Sequence, residues 1–190
     1  MTGTSTRDRI LDAADSLFFT DGIAVTGVDR VADAAGVAIA TLYKHVGSKD
    51  GLLTAVLTRR LNQWSEHWDA ALAAAESPTE RLLSVFDAVQ TYRAVAVPAQ
   101  WCSFLATRSE RTNAAGRPDP VQELLDQDTR MITERLRTLA DDAGAEDPIG
   151  LADKLALIYN GGLSSLLRGV PAESFAVARE VARVVVEDAV

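Results

Sequence analysis

Between Thr26 and Lys49 the chain places hydroxyls and cations at spacings suited to gripping an anion rather than to breaking a bond. Thr41, Tyr43, Lys44 and His45 fall within five residues, and Lys49 follows shortly after. Such donors bond phosphate oxygens, whereas Ile39 and Ala40 beside them carry no hydrogen-bonding group and could read bases only by touching thymine methyls. Catalysis would need companions that are missing: no serine, histidine and aspartate set, no paired carboxylates, no phosphate loop and no metal-ligand spacing emerges. Cys102 is the only cysteine, which rules out an internal disulfide and a cysteine-built metal site, and two histidines are too few for zinc. The expectation is therefore a binding protein, not an enzyme, with no metal and no cofactor.

Two short helices must position those donors. In the first, Val28, Val31, Ala32 and Ala35 recur at helical spacing as one apolar face, with Asp29, Arg30 and Asp33 outward. Thr26 reads as its N-cap, with Asp29 three residues on as an approximate capping box. Gly36 supplies the left-handed backbone that a tight turn between steeply crossed helices demands. In the second helix Ala38, Leu42 and Val46 repeat every four residues and point back at the first. Ile39, Ala40, Tyr43 and Lys44 then face solvent on a surface that is cationic, aromatic and free of acids. The pattern is that of a DNA-binding helix-turn-helix. Thr26 as a mere cap, Tyr43 as a packing residue and Lys49 as a solvated charge are the plainer readings of the same residues, and His45 fits a structural or phosphate-contacting role better than a pH switch.

Thr26, the Ala-Ala-Gly-Val at 34 to 37, the Thr-Leu-Tyr-Lys-His at 41 to 45 and the Ser-Lys-Asp-Gly-Leu-Leu at 48 to 53 resemble the N-terminal signature of the tetracycline-repressor (TetR) family. The resemblance is close over the first quarter of the chain and looser beyond it. It implies a one-component bacterial regulator in which a small helix-turn-helix domain joins a variable helical domain that binds a ligand and dimerises. The matching positions in the family largely hold the DNA backbone. Two departures stand out: Ala38 where the family usually has Ser, forfeiting a cap of about 1 kcal/mol, and Val46 where it usually has Phe. They leave open an alternative, a helical interaction protein of this fold that no longer binds an operator.

A net charge of −8 taken as a whole opposes DNA binding, but the charge is uneven. Residues 1 to 60 hold seven Lys/Arg and seven Asp/Glu, and the acidic excess lies wholly in the remainder. No N-terminal export signal is apparent and no apolar run approaches the length of a membrane span, so a cytoplasmic protein with no membrane partner is expected.

In chain order, about nine helices and no strand are expected. The first runs from about Arg7 to Thr20, capped by Ser5 or Thr6, with Ile10, Ala14, Leu17 and Phe18 inward. With Ile23, Val25 and the helix-turn-helix it makes a three-helix core too small to be robust alone. Ser48 caps a long fourth helix, 48 to 75, that connects the DNA-binding domain, 1 to 47, with a second domain, 48 to 190. Ser77-Pro78-Thr79-Glu80 opens helix five, Asp119-Pro120 helix seven and Asp147-Pro148 helix eight. Trp101, Phe104 and Leu105 mark a short sixth helix, and Val170-Pro171 leads into the ninth.

In the second domain Trp64, Trp68, Phe86, Trp101, Phe104 and Tyr159 come from different helices and could line a mainly apolar cavity for an aromatic or moderately apolar effector, with Arg93 approaching if the effector is anionic. Taken singly, each fits ordinary core. Helix eight is apolar nearly all round and calls for cover by a partner chain. Gly161, Gly162, Leu163 and Leu166, with Val177, Val181 and Val184 of helix nine, are the expected homodimer interface, the glycines permitting close backbone approach or else serving an internal helix contact. The sequence thus points to a ligand-responsive repressor that binds a palindromic operator as a homodimer.

Overall fold

The computed structural model describes residues 5–96, 102–111 and 119–190. They are all-helical: α1 Thr6–Asp21, α2 Val28–Ala35, α3 Ile39–Val46, α4 Lys49–Ala74, α5 Pro78–Val95, α6 Ser103–Glu110, α7 Pro120–Asp142, α8 Pro148–Arg168 and α9 Ser174–Glu187. The helix starts follow the local chemistry. Ser5, Ser77 and Asp147 accept from the backbone N–H of Asp8, Glu80 and Gly150, and Ser48 Oγ accepts from Gly51 N. Ser109 and Glu110 finish α6; residues 112–118 lie outside the described part.

Two compact units result. The first contains α1 to α3, residues 49–61 of α4, α6 and residues 120–126 of α7. Its core includes Ile10, Phe18, Val31, Leu42, Leu53, Leu57 and Leu125, all buried. The helices beyond α3 answer the smallness of a three-helix core, since they add apolar surface that forty residues could not bury by themselves. An ion pair also joins α1 to α4: Arg60 Nε donates to Asp15 Oδ1 at 2.5 Å, with each residue 4% exposed, and the guanidinium lies 4.6 Å from the Phe19 ring centre. Val25, expected in this core, is 73% exposed. It sits in the turn after α1, where the buried position is taken by Thr26.

The second unit contains residues 62–74 of α4, α5, residues 127–142 of α7, α8 and α9. There α9 packs on α8 and α5. Arg179 Nε donates to Asp87 at 2.8 Å and its other nitrogen pairs with Glu80, which also accepts from Arg183 at 2.8 Å. The Arg183 hydrogen bond, with both arginine charges, holds the Glu80 carboxyl below its ordinary pKa against the opposing effect of burial.

Candidate nucleic-acid interface

The helix-turn-helix forms because its apolar face and its turn agree. Val31, Ala32 and Ala35 of α2 and Leu42 of α3 are buried. Gly36 has φ 64°, in the left-handed region, and its N–H and that of Val37 close onto the carbonyls of Asp33 and Ala32. Along α3 the inward contact is narrower than the four-residue repeat implies. Leu42 alone is buried, Val46 is half-buried, and Ala38, the N-cap, is exposed and caps with no side chain. Ala38 is thus the end of the helix rather than part of its inner face.

The outward face of α3 carries what the sequence promised. Ile39 is 46% and Tyr43 42% exposed, and Ala40, Lys44 and His45 are exposed beside them. Thr41 is half-buried. No acid interrupts residues 39–46.

Two residues assigned to phosphate contact have other engagements. Thr26 is wholly buried and does not cap α2; the N-cap is Gly27, which has no side-chain bond. The Thr26 hydroxyl donates to the Gly22 carbonyl at 2.7 Å, with the Leu17 carbonyl at 3.4 Å, so its side chain ties the turn to the end of α1 instead of facing a phosphate. Lys49 is half-buried and its Nζ donates to the Ala24 carbonyl at 3.3 Å.

Around that turn the sequence reading missed a set of partners. Glu110, the last residue of α6, accepts from the N–H of Ala24 at 2.8 Å and of Ile23 at 3.4 Å. Its neighbour Arg111 donates to Asp50 in the first turn of α4 at 2.7 Å and to Asp119 at 3.0 Å, while Asp119 caps α7 by accepting from Val121 N. The hydrogen bond to Asp50 raises the Arg111 pKa despite partial burial. Burial pushes the Asp119 carboxyl up, but the Arg111 hydrogen bond and the amides of Gln122 and Val121 outweigh it, and the net shift is down. The only signal in the sequence was charge next to a loop, which solvation explains equally well.

Comparison with known proteins agrees with this geometry. The family model described as bacterial regulatory proteins, tetR family, matches residues 10–56, from within α1 to the first turns of α4. A solved tetR-type transcriptional regulator of Streptomyces avermitilis, sav143, is 30% identical over 94% of this chain and 98% of its own, with TM-score 0.68. The chain belongs to the TetR family. It is a TetR-family transcriptional regulator, with the family's nine-helix fold among the described residues. SCO4454, a TetR-family transcriptional regulator from Streptomyces coelicolor, shares the fold at TM-score 0.87 and 22% identity, over 97% of this chain and 95% of that one. Among curated relatives, the HTH-type transcriptional regulator Rv1255c of Mycobacterium tuberculosis is 36% identical over 102 residues, 53% of this chain and 50% of that protein. The chain spans about half the length of the curated relatives it matches first.

In the second unit of the regulator, part of the expected aromatic set does converge. Trp64 lies against Trp68, Tyr92 and Tyr159, with ring centres 5.8, 6.0 and 6.1 Å away, and all but Tyr92 are buried. Phe86 is buried in the same unit. Trp68 Nε1 donates to Ser84 Oγ at 3.0 Å, and Arg135, which pairs with Asp69, stacks 4.7 Å from the Trp68 ring centre. The Trp64 indole N–H is buried with no partner in the structure. Two members of the set do not join, and a third is not described. Phe104 is buried in the first unit, Arg93 is exposed at the end of α5 rather than approaching the interior, and Trp101 lies outside the described residues. Arg135 was missed although it follows Met131 by one helical turn on the inner stripe of α7. An open groove of about 750 Å³ in this unit is lined by His67, Ala70, Ala74, Glu80, Asp87 and Thr91, among others, and by none of the aromatic set.

The expected dimer residues divide. Gly162 and Leu163 are buried inside the chain, and a Cβ on Gly162 would stand 3.1 Å from the Phe175 ring of α9. This glycine serves a close α8 to α9 contact within one chain, the internal helix contact that the sequence also allowed, and its burial there speaks against a place on the interface between chains. Leu166 is half-buried. Gly161, with open space around it, and Val177, Val181 and Val184 are exposed, joined by Leu157, which the sequence reading did not single out and which is 74% exposed.

Proposed function

We propose that this TetR-family regulator is a homodimeric repressor that occupies a palindromic operator and is released from it by a small molecule bound in the second unit. The observation that carries the reading is the acid-free outward face of α3, where Ile39, Ala40, Tyr43, Lys44 and His45 stand exposed on a helix anchored by Leu42. A helix of this width enters the major groove, and a two-fold dimer would place two such helices one helical turn of DNA apart or a multiple of it. A dimer seated on a promoter represses by occlusion.

Exposed apolar residues at helical spacing on α8 and α9 support dimerisation, because an unpaired stripe of this kind is unfavourable in water. The buried, unpartnered Trp64 N–H amid Trp68, Tyr92 and Tyr159 supports a ligand that is largely aromatic and carries a hydrogen-bond acceptor. Release would follow from linkage: a ligand with about 1 to 3 kcal/mol of differential affinity for the conformer with misaligned heads weakens DNA binding roughly 5- to 150-fold. A cytoplasmic location fits a DNA-binding role, and no helix among the described residues is long and apolar enough to cross a membrane.

Selection of bound duplexes from a random pool, followed by salt titration, tests the reading. Inverted repeats are expected. Lys44→Ala should weaken all duplexes alike and reduce the salt slope by about one unit, whereas Ile39→Ala should change the preference among bases. Failure to enrich any duplex would favour the alternative that uncapped Ala38 leaves open, a helical interaction protein of this fold without an operator.

A further inference from the structure

The turn between α1 and α2 exposes backbone groups that no helix uses, and side chains from two other helices take them up. Gly22 has φ 112°, a conformation that favours glycine, and the N–H groups of Ile23 and Ala24 that follow it are both accepted by Glu110. Ala24 is held from both sides, since its carbonyl accepts from Lys49. Lys49 is followed by Asp50, Asp50 accepts from Arg111, and Arg111 is preceded by Glu110. The circuit is closed: Ala24, Lys49, Asp50, Arg111, Glu110 and back to Ala24. It lies wholly within the first unit.

A gap lies beside this joint. Between the end of α1 and α6 lies a cleft of about 250 Å³, lined by Phe18, Phe19, Gly22, Cys102, Ala106 and Glu110 among others. Across such a gap, dispersion contacts are thin and the polar bonds at its rim set the spacing. Three residues after Ala24 the chain caps α2, so the turn fixes how the helix-turn-helix leaves α1.

The geometry points to Glu110 as a positioning residue for DNA recognition: through the paired amides of Ile23 and Ala24, and with Asp50 closing the circuit through Arg111, it orients α2 and α3 while touching no DNA itself. This rests on the operator-binding reading above. It makes an expectation of unusual sign. Removing a carboxylate from a DNA-binding unit should strengthen DNA binding electrostatically. Here the removal weakens it, because a less fixed recognition helix loses contacts.

The test is Glu110→Gln and, separately, Asp50→Asn in the full chain, against a duplex selected with the wild type. Each variant should bind about two- to tenfold more weakly, the range set by one net intramolecular hydrogen bond. The salt slope should not change, since no phosphate contact is lost, and amide hydrogen exchange at Ile23 and Ala24 should quicken in Glu110→Gln. Binding as tight as wild type or tighter, with slow exchange retained, would overturn the proposal. A loss of affinity explained entirely by partial unfolding at the assay temperature, seen in the circular dichroism of the same samples, would overturn it too. Should the wild type enrich no duplex, the operator-binding reading fails first; should the wild type bind and the variants bind equally well, only the role of Glu110 fails.

Discussion

Asp15 and Arg60 show how much one residue pair can hold in the first unit. Both are almost fully buried, so the pair survives on geometry: a 2.5 Å bond from Nε, a second arginine, Arg59, at 3.4 Å from the other carboxylate oxygen, and an aromatic face under the guanidinium. Asp15→Ala should cost about 3 kcal/mol of stability, because it strands a charge in the interior rather than merely deleting a bond. Urea unfolding of the variant measures this, and Asp15→Ala combined with Arg60→Met should recover most of the loss; no recovery would mean that the pair is needed for more than charge balance. Thr26 teaches the same lesson from the other side. In the sequence a threonine before a helix reads as a cap with its hydroxyl outward, and only the path of the turn shows that hydroxyl donating to Gly22 and leaving the capping position to Gly27.

Among elements, α9 is joined to its neighbours by charge as well as by apolar contact. Its Arg179 and Arg183 converge on Glu80 at the start of α5. The Glu80 pKa is lowered in the folded protein, so its contribution to stability is present above the unfolded value of 4.5 and is lost as pH falls through the folded value. Thermal melts from pH 6 downward should therefore show an acid limb that flattens in Glu80→Gln, with a difference near neutrality of no more than about 1 kcal/mol, as partly exposed ion pairs give. An unchanged acid limb would place the acid sensitivity at other carboxylates. Apolar packing sets the rest of this contact, with Gly162 letting Phe175 approach α8.

At the scale of the whole molecule, the exposed apolar residues of α8 and α9 bear on assembly. Leu157, Val177, Val181 and Val184 are too many to leave in water on a lone chain without purpose. Leu157→Glu with Val181→Glu should convert a sedimenting dimer to monomer and reduce operator affinity at least a hundredfold, since two linked heads gain from effective concentration that single heads lack. Each variant chain should keep its helical content, because both positions face outward. A variant that remains dimeric would place the interface on another surface.

The sequence by itself determined the helices, the caps of α1, α5 and α8, and the exposed, acid-free face of α3. Those depend on periodicity and on residues within four positions of each other, so Leu42 beneath α3, Gly36 in the turn and Ser77-Pro78 at α5 could be read in place. It also identified the aromatic residues of the second unit as interior. The tertiary structure alone decided which distant groups meet: Trp64 with Tyr92 and Tyr159, Asp15 with Arg60, Glu110 with the amides of residues 23 and 24, and Gly162 with Phe175 of its own chain. Burial by periodicity says that a side chain faces inward without saying what it faces, and a charged residue beside a loop looks the same whether it meets water or a backbone amide 86 positions away in the chain.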